Sequence, residues 1–119
     1  MSDSTAQSIR QLKIKTGVVK RLHKEESTYI QEVVDQKKVV QKYKDEGKDG
    51  ADIRAAERVL RDSEMMVPRT RKQLEEAFQT LEDLVNALRP EESISSSPEW
   101  QDAFSQLQQV ETAWKSEGN

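Results

Sequence analysis

Apolar residues recur along this chain at helical spacing, and two long runs keep a seven-residue register. With Leu12 at heptad position a, the a positions of the first run are Leu12, Val19, Glu26, Val33 and Val40. The d positions are Lys15, Leu22, Tyr29, Gln36 and Tyr43, and Val18, Ile30 and Val39 flank the seam at e and g. A stripe this wide predicts a helix that packs on more than one neighbour. It covers about residues 8–45, roughly 55 Å at ~1.5 Å per residue. The stretch "KDEGKDGAD", residues 44–52, ends it. Gly47 and Gly50 supply turn chemistry, and Asp49 or Asp52 caps the next helix.

The second run has Ile53, Leu60, Val67, Leu74, Leu81 and Leu88 at a, with Ala56, Ser63, Thr70, Ala77 and Leu84 at d. Pro68 interrupts it chemically. A proline inside a helix lacks a backbone donor and clashes with the preceding turn, at about 3 kcal/mol. Two helices broken at Met66–Val67 are one way to accommodate it. Yet a chain that turned there would be free to reset its phase, and the register does not change. The pattern therefore predicts a single helix, about 51–89, kinked at Pro68. Arg89–Pro90 ends it, because the residue before a proline is pushed out of the α region. "EESISSS", residues 91–97, reads as a loop. Ser97 as N-cap, Pro98 at the first helical position and Glu99 in the first turn then start a third helix, about 98–115. Its apolar face is Trp100, Ala103, Phe104, Leu107, Val110 and Trp114.

These elements predict an all-α fold: an antiparallel up-down-up three-helix bundle, elongated and spectrin-repeat-like. One domain is expected over residues 8–116, with flexible ends at 1–7 and 117–119. The third helix is half as long as the others. Counted back from Leu88 by its own length, it runs out near Thr70 and the Pro68 kink. Beyond that point the first two helices form a hairpin whose seam is less covered and available to a partner.

Composition agrees with a thin core. Of 119 residues 34% are charged and 34% hydrophobic, and only six are aromatic. The chain has no cysteine, so no disulfide and no thiolate metal site. No apolar run approaches the ~20 residues of a membrane span. "MSDSTAQS" lacks the apolar centre of a secretory signal. A cytoplasmic protein is expected. The net charge of −3 conceals an asymmetry, +3 over residues 1–60 and −6 over 61–119.

Catalytic chemistry has little to work with. His23, the only histidine, sits at an e position with no nucleophile near it in sequence, and reads as a half-buried structural residue. Asp45, Gly47, Asp49 and Gly50 only faintly resemble a calcium loop, since Gly47 and Ala56 stand where acidic ligands are needed. No enzyme activity, cofactor or metal is expected.

Two surface features point to a partner. Arg10, Lys13, Lys20, Arg21 and Lys24 fall at f, b, b, c and f, away from the a/d seam, with Gly17 among them at f. A mid-helix glycine costs about 1 kcal/mol relative to alanine and contributes nothing to the seam. The functional reading is that a partner's backbone approaches Gly17 between cations. The plain readings, the commoner case for a charge run, are a solvated face with a tolerated glycine, or a stripe that offsets acids on the later helices such as Glu75, Glu82 and Asp83. Acidity and the lack of nearby stacking aromatics argue against nucleic acid, leaving an acidic protein as the better partner. Met65 and Met66, at f and g with Arg69 close by, suit adaptable binding beside a kink. The preferred alternative has the kink turn both methionines toward the first helix, filling a gap near Gln36.

Two segments carry a family resemblance. "QLKIKTGVVKRLHKEE", residues 11–26, resembles the tubulin-binding cofactor A family in its lysine spacing, Thr16–Gly17 and Lys20–Arg21. "RDSEMMVPRTRKQLEEAF", residues 61–78, is similar to the same family in Ser63, Met65–Met66, Pro68 and Leu74–Glu75. The likeness extends over about residues 9–89, while 90–119, with "ESISSSPEW" and two tryptophans, departs from it. The resemblance implies a cytoplasmic three-helix chaperone that captures β-tubulin folding intermediates after the chaperonin step, hands them to later cofactors and binds through helical faces. It implies association with microtubule biology, no ATP and no chemistry. Candidate contact residues are Lys13, Gly17, Lys20, Arg21, Lys24, Met65, Met66 and Arg69. A monomer is expected, with weak self-association at high concentration. The competing reading is a structural or self-associating helical module, which strict heptads support equally well. Ser95, Ser96 and Ser97 before Pro98 offer a phosphorylation motif, but helix capping accounts for them.

Overall fold

A computed structural model describes residues 2–118. Among the described residues there are four helices and no strand: α1 (Asp3–Asp45), α2 (Gly50–Leu88), α3 (Glu92–Ser95) and α4 (Pro98–Glu117). The all-α class matches the periodicity. α2 runs as one helix through Pro68, as the unbroken register requires.

Three local expectations change. α1 starts at Asp3, inside the segment read as a flexible end. The Ser2 hydroxyl accepts the Thr5 N–H at 3.1 Å, and Asp3 places a negative charge in the first turn. The segment read as a loop over 91–97 contains the single turn α3, whose Ile94 side chain is buried. One apolar residue in a run of serines and acids carries no periodicity to detect. α4 extends to Glu117, two residues past its expected end.

The start of α4 agrees closely with its capping signal. Ser97 Oγ accepts the Trp100 N–H at 3.2 Å and donates to the Ile94 carbonyl at 2.5 Å. Pro98 occupies the first turn, where a missing donor does no harm. The α1–α2 turn is equally legible. Gly47 has φ +67°, its N–H reaches the Lys44 carbonyl, and the Lys48 N–H reaches the Tyr43 carbonyl at 3.0 Å. This is a Schellman closure, and glycine takes the left-handed conformation without a Cβ penalty.

The fold is described in two compact units. The covered unit is the chain up to His23 together with the chain from Gln73 onward; the hairpin unit is Lys24–Lys72. In the covered unit, Leu12 and Val19 of α1, Leu74, Leu81 and Val85 of α2, and Ala103 and Val110 of α4 are fully buried, closed at one end by Ile94. Trp100 Nε1 donates to the Val85 carbonyl at 3.0 Å, and Trp114 lies 5.0 Å from Phe78, centroid to centroid. Later residues of α4 thus meet earlier residues of α2. The Arg89 guanidinium lies over both Trp100 and Phe104, at 5.1 and 5.4 Å. These cation–π contacts close the polar edge of the aromatic pair.

The hairpin unit has only α1 and α2 to bury its seam. Val40, Ala56 and Thr70 are buried there. Glu26, at an a position, is also buried, and its carboxylate accepts from Arg71 Nε. Gln36 Nε2 donates to the Ala56 carbonyl at 3.0 Å.

Candidate functional site: an open two-helix face

The sequence-derived contact residues separate by unit. Lys13, Gly17, Lys20 and Arg21 belong to the covered unit, and Lys24, Met65, Met66 and Arg69 to the hairpin unit. Lys20 does not stand on a free outer face. Its Nζ lies 2.9 Å from Asp102 Oδ2 on α4. Lys13 lines a shallow depression with Thr16, Pro98, Glu99 and Asp102. Both lysines occupy b positions and stay exposed, at the edge of α4; an a/d seam describes a helix with one neighbour. Here α1 has two, and the b and e positions face α4. The acid paired with Lys20 is Asp102, not Glu75, Glu82 or Asp83.

The c and f members do face outward. Gly17 is exposed, and a Cβ added there would meet nothing within 4 Å. Arg21 and Lys24 are exposed beside it in sequence. Met65 is also outward, at 65% exposure, and Met66 is half-buried. The preferred reading of both methionines as inward filler is therefore wrong for Met65, whose f position keeps it outside. The space near Gln36 is instead a groove of about 470 Å³ lined by Val39, Tyr43, Ala55 and Val59, with Lys48 Nζ 5.6 Å from the Tyr43 ring. Arg69 is exposed.

The hairpin seam expected to be less covered also opens on its opposite flank. Ile30, Val33, Val34 and Lys37 of α1 and Glu64, Val67 and Pro68 of α2 line an open groove of about 390 Å³. Ile30 and Val34 are each 43% exposed. All seven residues occupy a, b or e. In the covered unit those same positions carry Thr16, Lys20, Phe78 and Val85, which lie against α4 or are buried beneath it. Ile30 at e and Val34 at b were the available signal: they are apolar where a two-helix coil would be polar.

Geometrically this is a protein of packed helices that presents an apolar furrow with one cation and one anion at its edge. Among the described residues no group of three or more His, Asp or Glu side chains is placed to hold a metal ion. Among the same residues no helix is long and apolar enough to cross a membrane. Fold and surface describe an all-helical protein with an open apolar groove.

Residues 7–107 match the family model described as tubulin binding cofactor A. This chain belongs to that family. It is 38% identical over 102 residues to tubulin-specific chaperone A of Gallus gallus, covering 86% of this chain and 92% of the relative. The crystal structure of tubulin folding cofactor A from Arabidopsis thaliana superimposes with a TM-score of 0.78 at 36% identity, over 90% of this chain and 98% of that one. The human tubulin chaperone cofactor A structure gives 0.72 at 33% identity, covering 87% and 98%. The family match continues to residue 107, well into α4, so the segment from residue 90 is less divergent than its composition suggests.

Proposed function

We infer that this chain is a non-catalytic tubulin-folding cofactor that captures β-tubulin folding intermediates in the cytoplasm after the chaperonin step and passes them to later cofactors. The observation that carries the reading is the family match over residues 7–107, joined to relatives named as tubulin chaperones. With this reading goes an up-down-up arrangement of α1, α2 and α4, working as a monomer with weak self-association. Contact runs along helical faces, through Gly17, Arg21, Lys24, Met65, Met66 and Arg69, with Lys13 and Lys20 contributing at the edge of α4. Exposed charges on such faces act mainly on association rate and partner choice.

Capture of purified β-tubulin beside α-tubulin, with a spectrin repeat as control, tests the reading. Preference for β-tubulin that falls as salt rises is the expected outcome. Equal binding to all three, or none, would return the chain to the class of structural helical modules.

A further inference from the structure

Charge on α2 is segregated along the helix. From Gln73 to Leu88 it carries Glu75, Glu76, Glu82 and Asp83 and no base. From Arg58 to Lys72, within the hairpin unit, its outward face is basic. Met65 stands at the centre of that face, at f, and residues three, four and seven positions away share its side of the helix. Arg61 and Arg69 lie at i−4 and i+4, Arg58 and Lys72 at i−7 and i+7, and Asp62 at i−3 is the one acid among them. All of these side chains are exposed.

Met65, at 65%, is the most exposed large apolar side chain among the described residues. Among the same residues none of the four cations around it is drawn into an ion pair. Arg58 with Arg61, and Arg69 with Lys72, are like-charged neighbours at i, i+3, a spacing at which helix side chains meet. The ring therefore repels itself and does not stabilise α2. It leaves an apolar centre bracketed by cations on both sides.

We propose that this face docks an acidic segment of the tubulin client, with an apolar side chain seated on Met65 and carboxylates about 6 and 10 Å to either side meeting the arginines and Lys72. The flexible thioether adapts to the apolar side chain that arrives. The proposal rests on the chaperone reading and adds Arg58, Arg61 and Lys72 to its contacts. A second copy of the chain is a poorer occupant. Its acidic stretch of α2 supplies carboxylates, but the exposed large apolar side chains of the described residues, Ile14, Ile30, Val34, Val59 and Met65, all precede that stretch. Nucleic acid fits less well too, since the face holds no aromatic side chain on which a base could stack.

The test uses the full chain and urea-unfolded β-tubulin diluted into it. One variant carries Arg58→Gln, Arg61→Gln, Arg69→Gln and Lys72→Gln. Its control carries Lys37→Gln, Lys38→Gln, Lys42→Gln and Lys44→Gln on α1, which removes the same charge from exposed positions of the same unit. Glutamine is a good helix former, so both should melt close to the parent. The first is expected to weaken capture about tenfold and the control less than about twofold. A photo-reactive side chain in place of Met65 should crosslink to client segments with Asp or Glu on both sides of the crosslinked apolar residue. Equal losses in the two quadruple variants, or none in either, overturn the face while leaving the chaperone reading intact. Crosslinks confined to a second copy of the chain overturn it as well, as does capture that is displaced by a single-stranded RNA and not by polyglutamate. Failure of the parent to capture β-tubulin removes both.

Discussion

The a position of α2 is apolar in every heptad from Ile53 to Leu88, yet its burial changes along the helix. Leu74, Leu81 and Leu88, in the covered unit, are buried; Ile53, Leu60 and Val67, in the hairpin unit, are half-buried. The residue type is constant, so the difference comes from the number of neighbours. Two helices bury one stripe, and a third is needed to shield its flanks. The hairpin unit compensates with polar pairing in its seam. Glu26 and Arg71 stand where the covered unit uses leucine and phenylalanine. Such a pair gives less stability than apolar packing and penalises its own disruption heavily.

The comparison can be broken most directly by truncation. Leu81→Ala is expected to destabilise the fold by about 3 kcal/mol, and Leu60→Ala, at the same heptad position, by about 1 kcal/mol, because partly exposed side chains lose less apolar area. Equal losses in urea denaturation would contradict the division into a tight and a loose seam. Glu26→Ala removes the carboxylate that accepts from Arg71 Nε, with an expected loss of about 3 kcal/mol. Glu26→Leu paired with Arg71→Met should recover most of that loss, which a purely steric role for Glu26 would not produce. Ser97→Ala, at the mouth of α4, removes one cap acceptor and one donor at once. About 1.5 kcal/mol is expected, read as a lower melting temperature with α1–α2 helicity retained. Smallest of all, Gly17→Ala should stabilise α1 by up to about 1 kcal/mol, since its Cβ enters open space. Lys20→Glu should change stability by about 0.5 kcal/mol or less, its partner Asp102 being solvent-exposed.

Much of this architecture is legible in the chain. A fixed register across Pro68 is a statement about phase, and phase survives in sequence, so the continuity of α2 is readable from residue spacing alone. Ser97–Pro98–Glu99 and Gly47 act through local backbone chemistry and are equally readable. Pairing across large separations is not. Nothing local joins Glu26 to Arg71 or Lys20 to Asp102. A charged residue at an a position signals only that some partner must exist. The candidate surface suffers for the same reason. A wheel drawn for one seam assigns b to open solvent, and α4 brings Asp102 beside Lys20 there while both stay exposed. The open hairpin is legible from the short third helix, but its lining is not: Val34 looks like scatter until the face it shares with Ile30 is known.

The turn at Gly47 also bears on the order in which the chain comes together. The separations it must close grow outward: 20 residues for Gln36 with Ala56, 45 for Glu26 with Arg71, and 82 for Lys20 with Asp102. Ring-closure entropy rises by about 0.7 kcal/mol between the first and second of these for a flexible loop, and far less once the first is formed. Contacts nearest the turn therefore nucleate most cheaply, and the rest follow as a zipper whose last tooth is α4. Gly47→Ala, which strains a residue at φ +67°, should slow refolding, while Ser97→Ala should leave the refolding rate unchanged and quicken unfolding. The loosest-packed half of the molecule would then be the half that forms first.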